Sequence, residues 1–256
     1  MLSLIIPVYN EAPTLEQIWK TLQSIPWPFD VEYIVVDDGS TDESRDIIKT
    51  LKSPKLKVIL QERNQGKTAA IMAGIAAATG KVIAVQDADL EYDPRDLIRV
   101  AQPVLEDQAD AVYGSRFKQS GDQIQRTYHR IGVKLLTHFS NLCTGIYLTD
   151  LEGCYKAWRS DLLKNIVVSS GGFDFDPEVT AKIAKLRVRM HEVHIAYYPR
   201  VYQEGKKIGM KDGFTALWSL VKYSFFVPFN RCFKPTLPKR YLYPSQRLES
   251  PADAVR

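Results

Sequence analysis

The segment Val82-Ile83-Ala84-Val85-Gln86-Asp87-Ala88-Asp89-Leu90-Glu91 places three carboxylates at alternate positions directly after an apolar run. The four mostly β-branched apolar residues read as a buried strand. Nothing in a strand's stability calls for the acids that follow it. Carboxylates this close raise one another's pKa unless a cation neutralises them. A divalent metal carrying phosphates is the natural cation, because Mg²⁺ and Mn²⁺ prefer oxygen ligands and leave positions open for a diphosphate. The competing reading is a surface loop in which Asp89 caps the next helix, helped by Asp93-Pro94.

A second set of residues supplies positive charge. Arg116 follows a short strand, Val112-Tyr113-Gly114-Ser115. Arg126 and Arg130 lie four apart on one helix face. Arg200 follows another strand, and Lys206-Lys207 sit in a glycine-flanked loop that ends at Gly209. Arginine suits bidentate recognition of phosphate. Each cation taken singly also reads as a solvated surface charge. No two of His129, His138, His191 and His194 lie four apart on a helix, and His191 and His194 point to opposite faces of a strand, so a zinc site is not expected. Cys143, Cys154 and Cys232 are too few and too scattered for a disulfide framework and read as three reduced thiols of a cytosolic protein.

The elements that must position these groups alternate in type. An apolar strand at residues 2–8 stops at Tyr9-Asn10-Glu11. A helix over 12–24 follows, with Pro13 in its first turn. A second strand, 31–36, ends in Asp37-Asp38-Gly39-Ser40, and a helix over 42–51 follows. A third strand, 57–61, leads to a helix opened by Gly66-Lys67-Thr68 and closed near Gly80. The strand at Val82, a helix over 94–106 and a short strand at Ala111 come next. This rhythm implies right-handed crossovers and an α/β architecture, a mainly parallel, doubly wound sheet with helices on both faces. Ligands bind at the carboxyl ends of such strands. The clusters at 9–11, 37–40 and 87–89 are therefore expected on one edge.

Beyond Gly114 the pattern changes. A basic amphipathic helix is expected over 126–143, a further helix over 175–186, a strand over 188–198 and an aromatic helix over 213–229. Residues 230–256 read as an irregular tail. At 256 residues the chain suits one large domain with appendages, here residues 1–229. Its donor half spans about 1–116 and its acceptor half about 117–212. Apolar residues make up 45% of the chain, enough for a substantial core. A net charge of +4, from 34 basic and 30 acidic residues spread along the chain, does not indicate a nucleic-acid binder. The N-terminus lacks a basic start, its apolar run is too short for a secretory signal, and no run reaches membrane-spanning length.

No Gly-x-Gly-x-x-Gly follows the first strand, which argues against a dinucleotide-binding oxidoreductase. Gly66-Lys67-Thr68 lacks the first glycine of a P-loop, since Gln61 occupies that position. The segments IIPVYNE, VVDDGSTD, NQGKTAAIMAG, QDADLEYDP and VYGSRF, in this order, resemble family 2 glycosyltransferases of the GT-A fold. TDLEGCYKAWR, FDFDPEVTAKIAK and YYPRVYQEGKKIG are similar to the polyprenyl-phosphate sugar synthases, which include dolichyl-phosphate mannose and glucose synthases. The resemblance runs from about residue 2 to residue 226.

The resemblance implies a set of roles. Pro7, Tyr9 and Glu11 would line the nucleotide base and ribose, and Val36 and Asp38 would close the base pocket. Lys67 would lie near the nucleotide, although a helix-start surface lysine is an equal reading. Asp87 and Ala88 would touch ribose or diphosphate. Asp89 would bind the metal, Mg²⁺ or Mn²⁺, with Glu91, which stands where mannose synthases keep Gln. Arg116 and Arg200 would hold phosphates at the reaction centre. Arg126 is the candidate for the acceptor phosphate, and Lys206 or Lys207 for the donor diphosphate. Asp150 and Glu152 occupy the place of a catalytic base in hydroxyl-using relatives; Asp150 could instead orient the sugar or Arg126.

The implied reaction is inverting, metal-dependent transfer of a hexose from a nucleotide sugar, of GDP-mannose or UDP-glucose type, to a polyprenyl phosphate. A lipid phosphate is already anionic and needs no base, so cations must offset the meeting of two anions. The aromatic helix at 213–229, with Lys222 and Arg231 nearby, suits the headgroup region of a bilayer, though it also suits a core helix. The expected location is therefore cytoplasmic, peripheral on the cytoplasmic face of a membrane. Transfer to a sugar hydroxyl is the alternative within this class. A nucleotidyltransferase or a silent sugar-nucleotide binder is the alternative outside it; the first strand lacks the glycine-rich loop that holds a triphosphate.

Overall fold

The computed structural model describes residues 1–118, 127–172, 174–198 and 210–247. Four parallel strands form one half of a seven-stranded sheet: β1 (Leu2–Val8), β2 (Val31–Asp37), β3 (Leu56–Leu60) and β4 (Val82–Val85). β1 lies between β2 and β4, and β3 is the edge. The other half holds β5 (Ala111–Ser115), β6 (Lys156–Arg159) and β7 (Met190–His194), giving the order β3-β2-β1-β4-β6-β5-β7. β7 is shorter than the strand expected over 188–198; beyond His194 only a single bridge, Tyr92 to Tyr197, continues it.

Helices cover both faces, as the sequence rhythm implied. α1 (Ala12–Ser24) and α2 (Ser44–Thr50) pack on one face, α3 (Lys67–Ala77) on the other, and α4 (Asp96–Leu105) beside α1. The two-residue period of a strand explains how β1 serves both cores. Leu2, Leu4, Ile6 and Val8 join the α1/α4 core, while Ile5 joins the α3 core. α3 lies unusually close to β1 because residue 74 is glycine. A Cβ there would stand 2.4 Å from Ile5 Cγ2.

β6 was not foreseen, and it is the one strand that runs antiparallel to its neighbours, β4 and β5. Four residues that include Lys156 and Arg159 carry no strand signature of their own. Strand form follows from position: β6 fills the gap between two parallel blocks. Its direction matters for the site. An antiparallel strand begins at the edge where parallel strands end, so the chain entering β6 arrives beside the ends of β4 and β5.

The second half continues with α5 (Thr127–Thr144), α6 (Ser160–Leu163), α7 (Phe175–Ile183) and α8 (Met210–Val221). A π-helical turn, Lys222–Phe226, extends α8. The stretch expected as an irregular tail is short-segmented as far as 247, but it is packed. Cys232, Phe233, Leu237 and Tyr241 are buried in the core of the α3/α7 face, and Phe233 bridges to Ile166. Its prolines and charges hide these contacts, because single apolar residues spaced along irregular backbone have no period.

Candidate active site

Three strand ends meet on one edge, as their polar clusters implied. Asn10, at φ 53°, follows β1 and takes the left-handed region that asparagine tolerates. Its Oδ1 accepts from the Thr41 backbone N–H (2.8 Å), and its own N–H donates to Ser40 Oγ (3.1 Å). The Glu11 N–H donates to Ser44 Oγ (2.9 Å). The Ala88 carbonyl accepts from Thr14 Oγ1 (2.8 Å), which ties the acidic segment to α1. Side chain-to-backbone bonds of this kind replace the ladder where strands stop.

The residues expected at the base pocket divide. Pro7, Tyr9 and Glu11 keep part of their surface open. Val36 is wholly buried inside β2. Asp38 is almost fully buried, and its two oxygens accept from the backbone N–H groups of Gln65 (2.8 Å) and Gly66 (2.9 Å). Burial raises its pKa against these hydrogen bonds. Through these two bonds Asp38 fixes the turn before α3.

Lys67 is not a loose surface lysine. As the first residue of α3 it reaches across to β4, with Nζ 2.7 Å from Asp87 Oδ1. Burial works against both charges. The Lys67 charge, with hydrogen bonds from the Cys154 thiol and Lys67, still holds Asp87 below its ordinary pKa. In turn the nearby Asp87 raises the Lys67 ammonium above its ordinary value despite desolvation. Asp87 is thus neutralised by the protein.

Asp89 lies two residues on and is half-buried. One of its oxygens accepts the Glu91 N–H (3.1 Å), a turn that fixes the carboxylate's direction. Glu91 Oε2 accepts from the Tyr197 hydroxyl (3.2 Å). Among the described residues no three acidic, His or Cys side chains form a ready-made metal cage. One or two carboxylates at Asp89 and Glu91 nevertheless fit a Mg²⁺-type ion that takes its remaining ligands from phosphates and water.

Arg116 and Asp150 form the buried centre of the other half. Nε donates to Asp150 Oδ2 (2.7 Å) and Nη2 to Oδ1 (2.8 Å). The guanidinium also lies over the Tyr197 ring, 5.1 Å from its centroid. Gly153 allows this loop to press against β5; a Cβ there would stand 2.1 Å from the Gly114 carbonyl oxygen.

Several site residues carried no strong sequence signal. Lys156 opens β6, is fully buried and pairs with Asp176 in the first turn of α7 (2.9 Å). Its Nζ also donates to the Gly153 carbonyl (2.7 Å). Cys154, read as one of three scattered thiols, lies close enough to Asp87 to help lower its pKa. Glu152 has an Oε1 that is shielded and unpartnered. Burial first, then the Asp176 charge, pushes its pKa up to about 7. The signal available was the spacing itself: Glu152, Cys154 and Lys156 alternate on the way into β6.

The structure therefore gathers Lys67, Asp87, Ala88, Asp89, Glu91, Arg116 and Asp150 on one edge, next to Pro7, Tyr9 and Glu11. Arg126, Arg200, Lys206 and Lys207 lie outside the described residues.

The sheet, and the carboxylate and cation cluster at its edge, can be set beside known proteins. The profile of Glycosyl transferase family 2 matches residues 3–167, and the chain belongs to that family. Its seven-stranded α/β sheet is of the GT-A type.

Among curated proteins, the chain is 27% identical over 237 residues to a dodecaprenyl-phosphate galacturonate synthase of Rhizobium johnstonii, covering 89% of this chain and 68% of that protein. It is 26% identical over 211 residues to an undecaprenyl-phosphate 4-deoxy-4-formamido-L-arabinose transferase of Aeromonas hydrophila, covering 80% and 62%. The chain thus spans roughly two thirds of these relatives' length. The fold matches glucosyl-3-phosphoglycerate synthase of Mycobacterium tuberculosis, solved with Mn²⁺, UDP and phosphoglyceric acid. That match has a TM-score of 0.66 and 16% identity, and covers 89% of this chain and 80% of the other.

Proposed function

We propose that this domain transfers a sugar from a nucleotide sugar to a polyprenyl phosphate. The supporting observation is the state of Asp150. A hydroxyl acceptor needs a base to take its proton. Asp150 is fully buried, and both its oxygens are committed to Arg116. Burial opposes its charge, yet Arg116 holds its pKa below the ordinary value, which makes it a poor base. A phosphate oxygen is already ionised and needs none. The curated relatives are both named for polyprenyl-phosphate acceptors.

In this reading Asp89, with Glu91, holds Mg²⁺ or Mn²⁺. The ion supplies Lewis-acid stabilisation of charge on the leaving diphosphate. Pro7, Tyr9 and Glu11 line the nucleoside. Lys67 cancels the Asp87 charge, so that the donor's diphosphate does not meet an uncompensated acid. Asp150 orients Arg116, whose guanidinium faces the phosphates where the two anions meet. Arg126, Arg200, Lys206 and Lys207 would add positive charge to the same centre.

The acceptor's lipid requires a surface to work on. Among the described residues no helix is long and apolar enough to cross a membrane. α8 and its π-turn instead carry an aromatic outer face. Phe214, Trp218, Phe225 and Phe226 are 72, 61, 65 and 70% exposed, while Ala216, Leu220 and Tyr223 face the core. α5 packs against α8 and adds exposed Ile131 and Leu135, with exposed Lys134 between them. Exposed apolar side chains on two packed helices, with a lysine among them, suit the interface of an anionic bilayer. The domain docks there through α5 and α8.

One observation favours a second reading. Glu152, with a pKa near 7, is tuned for general-base work on a sugar hydroxyl. Both readings are tested by release of UDP or GDP from nucleotide sugars with Mn²⁺. Release that depends on a short-chain polyprenyl phosphate supports the lipid acceptor. Release that depends only on a saccharide, or on neither, counts against it.

A further inference from the structure

Asp150, which holds Arg116, stands on backbone that belongs to no helix or strand. It lies between α5, which ends at Thr144, and β6, which opens at Lys156. Such a segment keeps its shape only where its backbone groups find partners in neighbouring elements. α5 supplies some of them. Asn141 Oδ1 accepts from the Leu148 N–H (3.0 Å), and its Nδ2 donates to the Leu148 carbonyl (2.8 Å). Thr137 Oγ1 accepts from the Leu151 N–H (3.1 Å). The two residues between, Thr149 and Asp150, are held by β7.

Glu192 is the residue that holds them. It stands opposite Tyr113 of β5, in the strand beside the one that leads to Arg116. Its Oε1 accepts from the backbone N–H groups of Thr149 (2.8 Å) and Asp150 (3.3 Å), and its Oε2 from the Thr149 hydroxyl (2.7 Å). Thr149 Oγ1 also lies 2.6 Å from the hydroxyl of Ser115, the residue before Arg116. A carboxylate takes three donors at once because it needs no acceptor of its own. Beyond Arg116, the Lys118 ammonium donates to the Glu192 carbonyl. The loop that carries Asp150 and the chain that carries Arg116 are thereby fastened to one residue of β7.

We propose that Glu192 is a positioning residue for the transfer reaction, acting on Arg116 through Thr149 and Asp150. The proposal rests on the reading of Arg116 as a group that faces phosphates. Arg116 takes its direction from Asp150, whose Oδ2 and Oδ1 accept from Nε and Nη2 at 2.7 and 2.8 Å. A guanidinium recognises phosphate through a planar fork, so its angle matters as much as its charge. Without Glu192, two backbone N–H groups and a hydroxyl lose their acceptor in a part-buried setting, where an unmade hydrogen bond is costly. The loop then shifts toward other partners, and the Arg116–Asp150 pair moves with it as a unit. Both Glu192 oxygens face the loop, so the residue aims the fork and does not itself touch the reacting atoms.

The test compares Glu192→Met with Glu192→Gln in the full chain. Methionine matches the length and lacks the carboxylate. Glutamine keeps Oε1 for both N–H groups, and its Nε2 can donate to Thr149 Oγ1 once that hydroxyl turns toward Ser115. Turnover is read as release of UDP or GDP from nucleotide sugars with Mn²⁺ and a short-chain polyprenyl phosphate. The methionine variant should lose about tenfold or more, because a small misplacement of a positioning group is felt strongly in rate. The glutamine variant should recover most of that loss. In an Arg116→Lys background, which has no fork left to aim, Glu192→Met should cost less than about threefold. Exchange of the Arg116 Nε proton with solvent, followed by NMR and assigned by its absence in Arg116→Lys, should quicken about tenfold in the methionine variant and not in the glutamine one. Thr149→Val removes the hydroxyl contact and leaves the two N–H bonds. It is run alongside in case Glu192→Met does not fold, and should show a smaller loss of the same kind.

Wild-type turnover in a folded methionine variant overturns the proposal. So does an equal cost in the Arg116→Lys background, which would give Glu192 a structural role unconnected with Arg116. Unchanged Arg116 exchange, or a glutamine variant as poor as the methionine one, overturns it as well. If the unaltered chain releases neither UDP nor GDP, the nucleotide-sugar reading itself fails, and the proposal falls with it.

Discussion

Arg116 grips Asp150 through three hydrogen bonds, two from its guanidinium at 2.7 and 2.8 Å and one from its own backbone N–H at 3.0 Å. Both side chains are buried. A buried pair of this kind is costly to break, because removing one partner leaves the other charge unpaired. Asp150→Asn is therefore expected to lose about 3–5 kcal/mol of stability as well as turnover. The double variant Arg116→Met/Asp150→Leu removes both charges and should regain much of that stability while staying inactive. Urea melts alongside donor-dependent turnover measure both. A double variant that recovers activity would mean the pair is purely structural.

Asp89 makes the opposite case. It is half-buried, and its described hydrogen bond is with the Glu91 backbone. Asp89→Asn keeps that bond and the side chain's shape, so stability should change by less than about 1 kcal/mol. Turnover should fall by about 100-fold or more if charge on the leaving diphosphate is offset here. Calorimetry with UDP or GDP, with and without Mn²⁺, should show the metal-dependent part of binding weakened in the variant. Unaltered Mn²⁺ dependence would remove Asp89 from the metal site.

The parallel half of the sheet and its acidic edge were legible because each signal was local. β1, β2 and β4 are apolar runs, and each stops at a polar cluster. Asp87 and Asp89 stood out because strand stability gives no reason for them. The rest depends on contacts between distant segments. Lys156 looks like a surface residue until Asp176 is brought beside it from α7, 20 positions on. Cys154 gains meaning only from Asp87, which the antiparallel entry into β6 places next to it. The part Asp38 plays in holding the turn before α3 was hidden because the two backbone N–H groups it accepts from lie 27 and 28 residues away. Tyr241 is buried through packing against distant helices, a contact that no period in its own segment announces.

Glu152 gives the stability curve a distinctive slope. Its folded pKa is raised from the ordinary 4.5 to about 7, by burial and then by Asp176. Below about pH 4.5 the group is protonated in both states and contributes no penalty. Between 4.5 and 7 the unfolded chain releases the proton while the folded chain keeps it, so stability falls as pH rises. Above pH 7 the loss is complete, on the order of 3 kcal/mol. Glu152→Gln mimics the protonated form and should be nearly free of this slope. Denaturant melts at pH 5 and pH 7.5 compare the two proteins; a difference that does not grow with pH would remove Glu152 as the source.

The aromatic face can be tested apart from catalysis because it takes no part in the core. Phe225 and Phe226 point outward from the π-turn, whereas Tyr223 beside them is buried under Lys182, whose Nζ lies 4.3 Å from the ring centroid. Replacing exposed aromatics removes little folded-state burial, so Phe225→Ser/Phe226→Ser should leave the melting temperature nearly unchanged. The same change removes two large apolar anchors from a membrane contact, where each buried side chain is worth about 1.5–3 kcal/mol. Partition onto vesicles containing anionic lipid should fall by about tenfold or more. Turnover on a water-soluble, short-chain polyprenyl phosphate should persist, while turnover on a long-chain acceptor in vesicles drops. Equal losses on both acceptors would place these phenylalanines in the acceptor site and not at the bilayer, and unchanged partition would move the docking face elsewhere on the molecule.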